Sequence, residues 1–136
     1  MREILFRGKS KNGEWAYGYL FVLGKGTEYE EVYILGDLDH RETVYDILKC
    51  AERVDPKTVG QFTGLTDKNG KKIFEGDVVD TRRWHVAYAA DVGASYGMTA
   101  GWYIQRDDFE SWSELECVDN YEVLGNIHDN PELLCR

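Results

Sequence analysis

Residues 15–22, WAYGYLFV, alternate without a break. In an extended chain Trp15, Tyr17, Tyr19 and Phe21 share one side, and Ala16, Gly18, Leu20 and Val22 the other. A helix would scatter both sets around its axis, so this octet dictates a strand. A shorter apolar stretch, Ile4 to Arg7, precedes it, and the intervening KSKNGE contains Asn12-Gly13. That dipeptide suits a two-residue hairpin turn, whose central residues both need positive φ. A third strand, EEVYILG, follows the Gly24-Lys25-Gly26 turn, so the chain opens as a hairpin or meander.

The same grammar returns from residue 61. QFTGLT and KKIFEGDVVDT flank Asp67-Lys68-Asn69-Gly70, and WHVAYAADV, AGWYIQR and NYEVLGNI read as later strands. GKSKNGEWAYG and TDKNGKKIFEG both set a Lys-Asn-Gly turn before an aromatic-bearing strand, which is recurrent hairpin chemistry and no repeat. Phe62, Leu65, Ile73, Phe74, Val78 and Val79 are the expected core of this half. Between the halves, RETVYDILKCAER places Val44, Ile47, Leu48 and Ala51 at helical spacing, and TVYDI also reads as a strand; helix or irregular turn is favoured for part of it. DPKTVGQ predicts one helical turn capped by Asp55 and begun by Pro56, and HDNPELLCR a short terminal helix capped by Asn130.

Fourteen Gly, two Pro and an excess of aromatics agree with a sheet protein punctuated by turns. The expected fold is mainly β with a minor α component: an N-terminal hairpin or meander packed with a small SH3-like, barrel-type C-terminal half and a short C-terminal helix. The barrel reading rests on Ile73-Phe74-Glu75-Gly76-Asp77-Val78-Val79, where a Gly-Asp bend precedes an apolar strand. At 136 residues a single compact domain is expected, with residues 1–60 and 61–136 as its subdivisions.

TVGQFTGLTDKNGKKIFEGDVVD and the terminal YEVLGNIHDNPELL resemble the YopX-like family of phage and prophage proteins, and REILFRGKSKNGEWAYGYL fits the same pattern. Residues 84–120 carry no matching signature. The resemblance implies a phage or integrated-element gene expressed in a bacterial cytoplasm, and a mainly β fold with a barrel-like C-terminal part. It brings no catalytic residues to carry over.

The residues themselves assemble no catalytic set. His40, His85 and His128 lie far apart, and GDLDHRE lacks the glycine and terminal glutamate of a calcium loop, so no metal and no cofactor is expected. Cys117 with His85, or Cys135 with His128, would need a third orienting group that nothing supplies; Cys50 and Cys117 read better as buried small hydrophobes. Gly24-Lys25-Gly26 lacks the further glycine of a phosphate cradle. Three cysteines, an odd number with no Cys-x-x-Cys pair, and the charged start MREILFRGKS suit a reducing cytoplasm; no stretch suits a membrane span.

A net charge of −9 disfavours a general nucleic-acid binder. Bases gather at Lys68, Lys71, Lys72, Arg82 and Arg83, which are the candidate binding residues, with a solvated hairpin tip as their plainer role. The Trp15–Phe21 stripe, lacking interleaved Lys or Arg, is expected in a core or subunit interface rather than under stacked nucleotides. The function expected is therefore that of a non-enzymatic accessory protein acting by contact with itself or with a host or phage protein. A nucleic-acid-related or DNA-mimicking regulator is the alternative, and a small-molecule enzyme stands third.

Overall fold

The structure, a computed structural model, describes residues 3–36, 43–79, 84–88, 101–106, 112–114 and 121–134. The chain divides into two compact units, Met1–Phe62 and Thr63–Arg136.

In the first unit, β1 (Phe6–Lys9), β2 (Trp15–Leu23), β3 (Glu31–Leu35) and β4 (Glu52–Val54) form an antiparallel meander. The start of β5 (Gly60–Thr66) pairs with the other edge of β1. The β1–β2 connection is longer than the expected two-residue turn. Gly13 donates to the Ser10 carbonyl at 2.9 Å, Ser10 donates to the Glu14 carbonyl at 2.8 Å, and Gly13 has φ of 81°. This is a three-residue loop, Lys11-Asn12-Gly13, in which only the last position must be left-handed.

Val32, Ile34 and Val54 form the buried core here, backed by Phe6, Ala16, Leu20, Val22 and Val59. The small and aliphatic face of β2 is thus the inner one, and the aromatic stripe points outward, so of the two roles expected for it, core or subunit interface, the core role does not hold. This inner face is closely packed where the sheet meets Val54: a Cβ on Gly8 would lie 2.7 Å from Val54 Cγ2.

Between β3 and β4, α1 (Val44–Lys49) starts at a capping box. Thr43 Oγ1 accepts from the Asp46 amide and Asp46 Oδ2 from the Thr43 amide, both at 3.2 Å. The helical alternative for this stretch holds, yet none of its residues is buried. Pro56–Thr58 form the expected turn, as 3-10 helix, with Asp55 Oδ1 accepting from Lys57.

In the second unit, β6 (Lys72–Phe74) returns beside β5. β7 (Asp77–Val79), β8 (Trp84–Tyr88), β9 (Trp102–Arg106), β10 (Trp112–Glu114) and β11 (Val123–Asn126) then make an antiparallel sheet of order β10-β9-β8-β7-β11. KKIFEGDVV is two strands with a corner. Gly76 has φ of 90°, its amide donates to Val86 and its carbonyl accepts from Ile127, both at 2.9 Å. Asp77 Oδ2 accepts from the Phe74 amide at 2.8 Å and stitches the corner from inside. That corner moves the chain from the ladder of β5 and β6 into the second sheet. Closure would require the outer strands to pair, and among the described residues β10 and β11 do not, so the sheet is open and no closed SH3-like barrel forms.

Ile73, Val79, Val86 and Ile104 form the buried cluster, with Leu65, Trp84, Trp102, Tyr121 and Val123 against it. Phe62, Phe74 and Val78 are buried as expected. The terminal helix is a 3-10 turn, Pro131–Leu133, and Asn130 does not cap it with its side chain. Asn130 Oδ1 instead accepts from the Asn126 amide at 3.3 Å, while Asn126 Oδ1 takes the amides of His128 and Asp129 at 3.0 and 2.9 Å. No helix of the described residues is long and apolar enough to cross a membrane.

Candidate functional site

The alternation that fixes β2 as a strand also decides what it shows to solvent. With the inner face filled by small residues, Tyr17 and Tyr19 stand 50% and 52% exposed, and Trp15 and Phe21 are half-buried. Neighbouring strands add to this outer face by register. Tyr33 lies opposite Phe21, Leu35 opposite Tyr19, Glu31 opposite Leu23 and Arg53 opposite Tyr33. On the other side Arg7 pairs with Tyr17 and Lys9 with Trp15.

Bases are therefore interleaved with the aromatic stripe after all, across the ladder rather than along the strand. The Arg7 guanidinium sits 4.8 Å from the Trp15 ring centroid and Lys9 Nζ 6.0 Å from it. Reading β2 alone misses this; aligning FRGK against WAYG through the hairpin would have revealed it.

Helix α1 lies along the other end of the stripe. Leu48 and Ala51 wall a groove of about 280 Å³ whose remaining lining is Phe21, Leu23 and Tyr33. At its rim the Tyr33 hydroxyl donates to Glu31 Oε2 at 2.7 Å, and Glu31 Oε1 lies 3.7 Å from Arg53 Nη1. The hydrogen bond to Glu31 pushes the Tyr33 phenol above its ordinary value; burial and the carboxylate charge act in the same sense and Arg53 opposes them. The apolar stripe of α1 faces solvent, with Val44 72%, Tyr45 68% and Leu48 44% exposed. Of the large exposed hydrophobic side chains among the described residues, all but Leu124 belong to the first unit. Exposed apolar side chains grouped in one patch are the usual mark of a contact surface.

The sequence-derived basic candidates fall elsewhere. Lys68, Lys71 and Lys72 surround the β5–β6 turn, which repeats the three-residue geometry of the first hairpin. Asp67 donates to the Lys71 carbonyl at 2.7 Å, Gly70 to the Asp67 carbonyl at 3.0 Å, and Gly70 has φ of 83°. This tip is tethered rather than simply solvated. Lys68 donates its amide to Tyr121 at 2.9 Å, and its ammonium lies 3.5 Å from Glu122. Lys71 and Lys72 are exposed, while Arg82 and Arg83 lie outside the described residues.

The residue that organises the tip is Asp67, 4% exposed. Its Oδ1 accepts from Asn69 and Lys71 at 2.8 and 2.9 Å, and its Oδ2 from Val123 at 3.0 Å. Burial pushes its pKa up, yet the three backbone donors and the Lys71 charge outweigh burial and hold it below the ordinary value. Nothing in the local sequence signals the third donor, which arrives from 56 residues away.

Asp77 is buried on the Phe74 amide and His85 faces Val78 and Gln105 across the ladder. Cys50 is exposed at the C-cap of α1 and not buried as expected. Cys117 and Cys135, and Asp37, Asp39, His40 and Glu42 of GDLDHRE, lie outside the described residues. Among the described residues no group of three His, Cys, Asp or Glu is placed to hold a metal.

A family model described as YopX protein matches residues 5–135. The crystal structure of protein EF1440 from Enterococcus faecalis is similar, with a TM-score of 0.53 and 20% identity, covering 98% of this chain and 99% of that one. At that identity the likeness concerns the fold alone. No curated protein matches at a significant level.

Proposed function

The chain belongs to the YopX family, and from that premise we propose that it is a phage- or prophage-encoded accessory protein of the bacterial cytoplasm that acts by protein–protein contact. It performs no catalysis of its own in this reading. The observation that carries the proposal is the set of exposed apolar side chains of the first unit, Tyr17 and Tyr19 on β2 and Val44, Tyr45 and Leu48 on α1, flanking the Phe21–Leu23–Tyr33 groove. Size-exclusion chromatography with light scattering, combined with capture from bacterial lysate, tests it. A defined assembly or complex that Tyr45→Asp abolishes is expected. A strict monomer that captures nothing sinks the reading.

A second reading is favoured by one observation, the Lys9 cation 6.0 Å from the Trp15 ring centroid. Aromatic rings with flanking bases on a sheet face are how single-stranded nucleic acid is stacked and neutralised. Salt-sensitive binding of a single-stranded oligonucleotide, weakened by Lys9→Ala, supports that role; no binding at low salt removes it.

A further inference from the structure

Resting on the protein-contact reading, we infer that the partner is a second copy of this chain. In the symmetric dimer the solvent-facing stripe of α1 in each copy lies on the Trp15–Tyr19 half of the other copy's sheet. Three observations converge on this. The first is layering. A helix stripe and a sheet face are each stable when buried against another element. Here Val44, Tyr45 and Leu48 lie on one side of α1, at spacings of three and four residues, and face solvent. The same unit exposes a sheet half at Tyr17 and Tyr19. One copy thus carries both complementary surfaces, as a two-fold interface requires, residue i meeting j while j meets i.

The second is area. Tyr17, Tyr19, Val44, Tyr45 and Leu48 are 44% to 72% exposed. At that exposure side chains of this size offer on the order of 100 Å² each, and so about 500 Å² together, before half-buried Trp15 contributes. A stable interface takes about 800 Å² from each partner. The third is charge. Nine Lys and Arg against eleven Asp and Glu leave residues 1–62 at −2, whereas seven against fourteen put residues 63–136 at −7. Two copies of a −9 chain therefore meet with least repulsion through the first unit. Around the patch Lys9, Lys49 and Arg53 mix with Glu31 and Asp46, as contact between like surfaces requires.

Sedimentation equilibrium of the full chain tests the inference. A dimer in the micromolar range is expected, and Tyr19→Asp and Leu48→Asp, both at exposed positions, should each raise its dissociation constant about 30-fold or more while leaving the circular dichroism unchanged. Mixing the two variants separates this geometry from any other dimer. The Leu48 variant keeps an intact sheet face and the Tyr19 variant an intact helix stripe, so one of the two contact sets survives in the heterodimer. The mixture must then associate more tightly than either variant alone. A wild-type chain that stays monomeric at ~100 µM overturns the inference, as does a dimer indifferent to both substitutions or a mixture with no gain. If the chain is monomeric but its patch holds a host protein, the contact reading stands and the second copy is wrong.

Discussion

Replacing Asp67 with asparagine changes one atom of a buried side chain and removes the charge that three backbone amides share. Asp67 Oδ1 holds the β5–β6 turn through Asn69 and Lys71, and Oδ2 holds β11 through Val123. An asparagine can keep its oxygen toward the turn, and its NH₂ group then faces the Val123 N–H, donor against donor. The loss is one charge-assisted bond, about 1.5–3 kcal/mol, together with weakening of the other two, so about 3 kcal/mol is expected for Asp67→Asn and more for Asp67→Ala. Urea unfolding followed by tryptophan fluorescence measures this at pH 7. The pH dependence supplies a second, independent reading. The folded-state pKa of Asp67 lies below its ordinary 3.8, so its contribution is fully present above about pH 4 and lost as pH falls through the depressed folded value. The gap between wild type and Asp67→Asn should therefore be constant from pH 7 to 5 and shrink below pH 4. A gap under 0.5 kcal/mol at pH 7, or one that widens in acid, would refute the assignment of Asp67 as the charged pin of the tip.

Gly125→Ala should cost about 1–3 kcal/mol, because the new Cβ would lie 2.8 Å from Asn130 Cγ and 2.9 Å from Leu133 Cδ1, with thermal unfolding as the readout. Gly70→Ala meets nothing within 4 Å, so its cost of about 1 kcal/mol is purely that of positive φ, and Gly70→Asn should recover most of it in the same assay. Thr43→Ala removes the capping box of a six-residue helix and should lower helical circular dichroism with a loss of about 1 kcal/mol; self-association should weaken in parallel.

The elements were mostly legible where chemistry is local. WAYGYLFV, EVYIL and WYIQR are strands because alternation is a property of neighbouring residues. Thr43 and Asp46 announce a helix start, and Asp55-Pro56 a turn, for the same reason. Nothing in the sequence announces β10, since three residues are too few to show a period. KKIFEGDVVDT read as a barrel strand because Gly-Asp marks a bend, and only pairing partners decide where a bent chain goes next. The candidate surface was legible as an aromatic stripe but not as a charged one, because Arg7 and Lys9 join it through the hairpin register.

By itself the sequence determined the mainly β character of the chain, its hairpin turns and its membership of the family. It even carried the two Lys-Asn-Gly loops whose glycines take positive φ. These follow from short-range sterics and periodicity, which a linear text contains. Tertiary structure alone decided which face of β2 is inside, the one that packs with Val32, Ile34 and Val54. It also decided that Asp67 is bound by a strand 56 residues away and that the stripe of α1 looks outward. Burial and long-range hydrogen bonding belong to pairs of distant residues, and no single stretch of sequence holds both members.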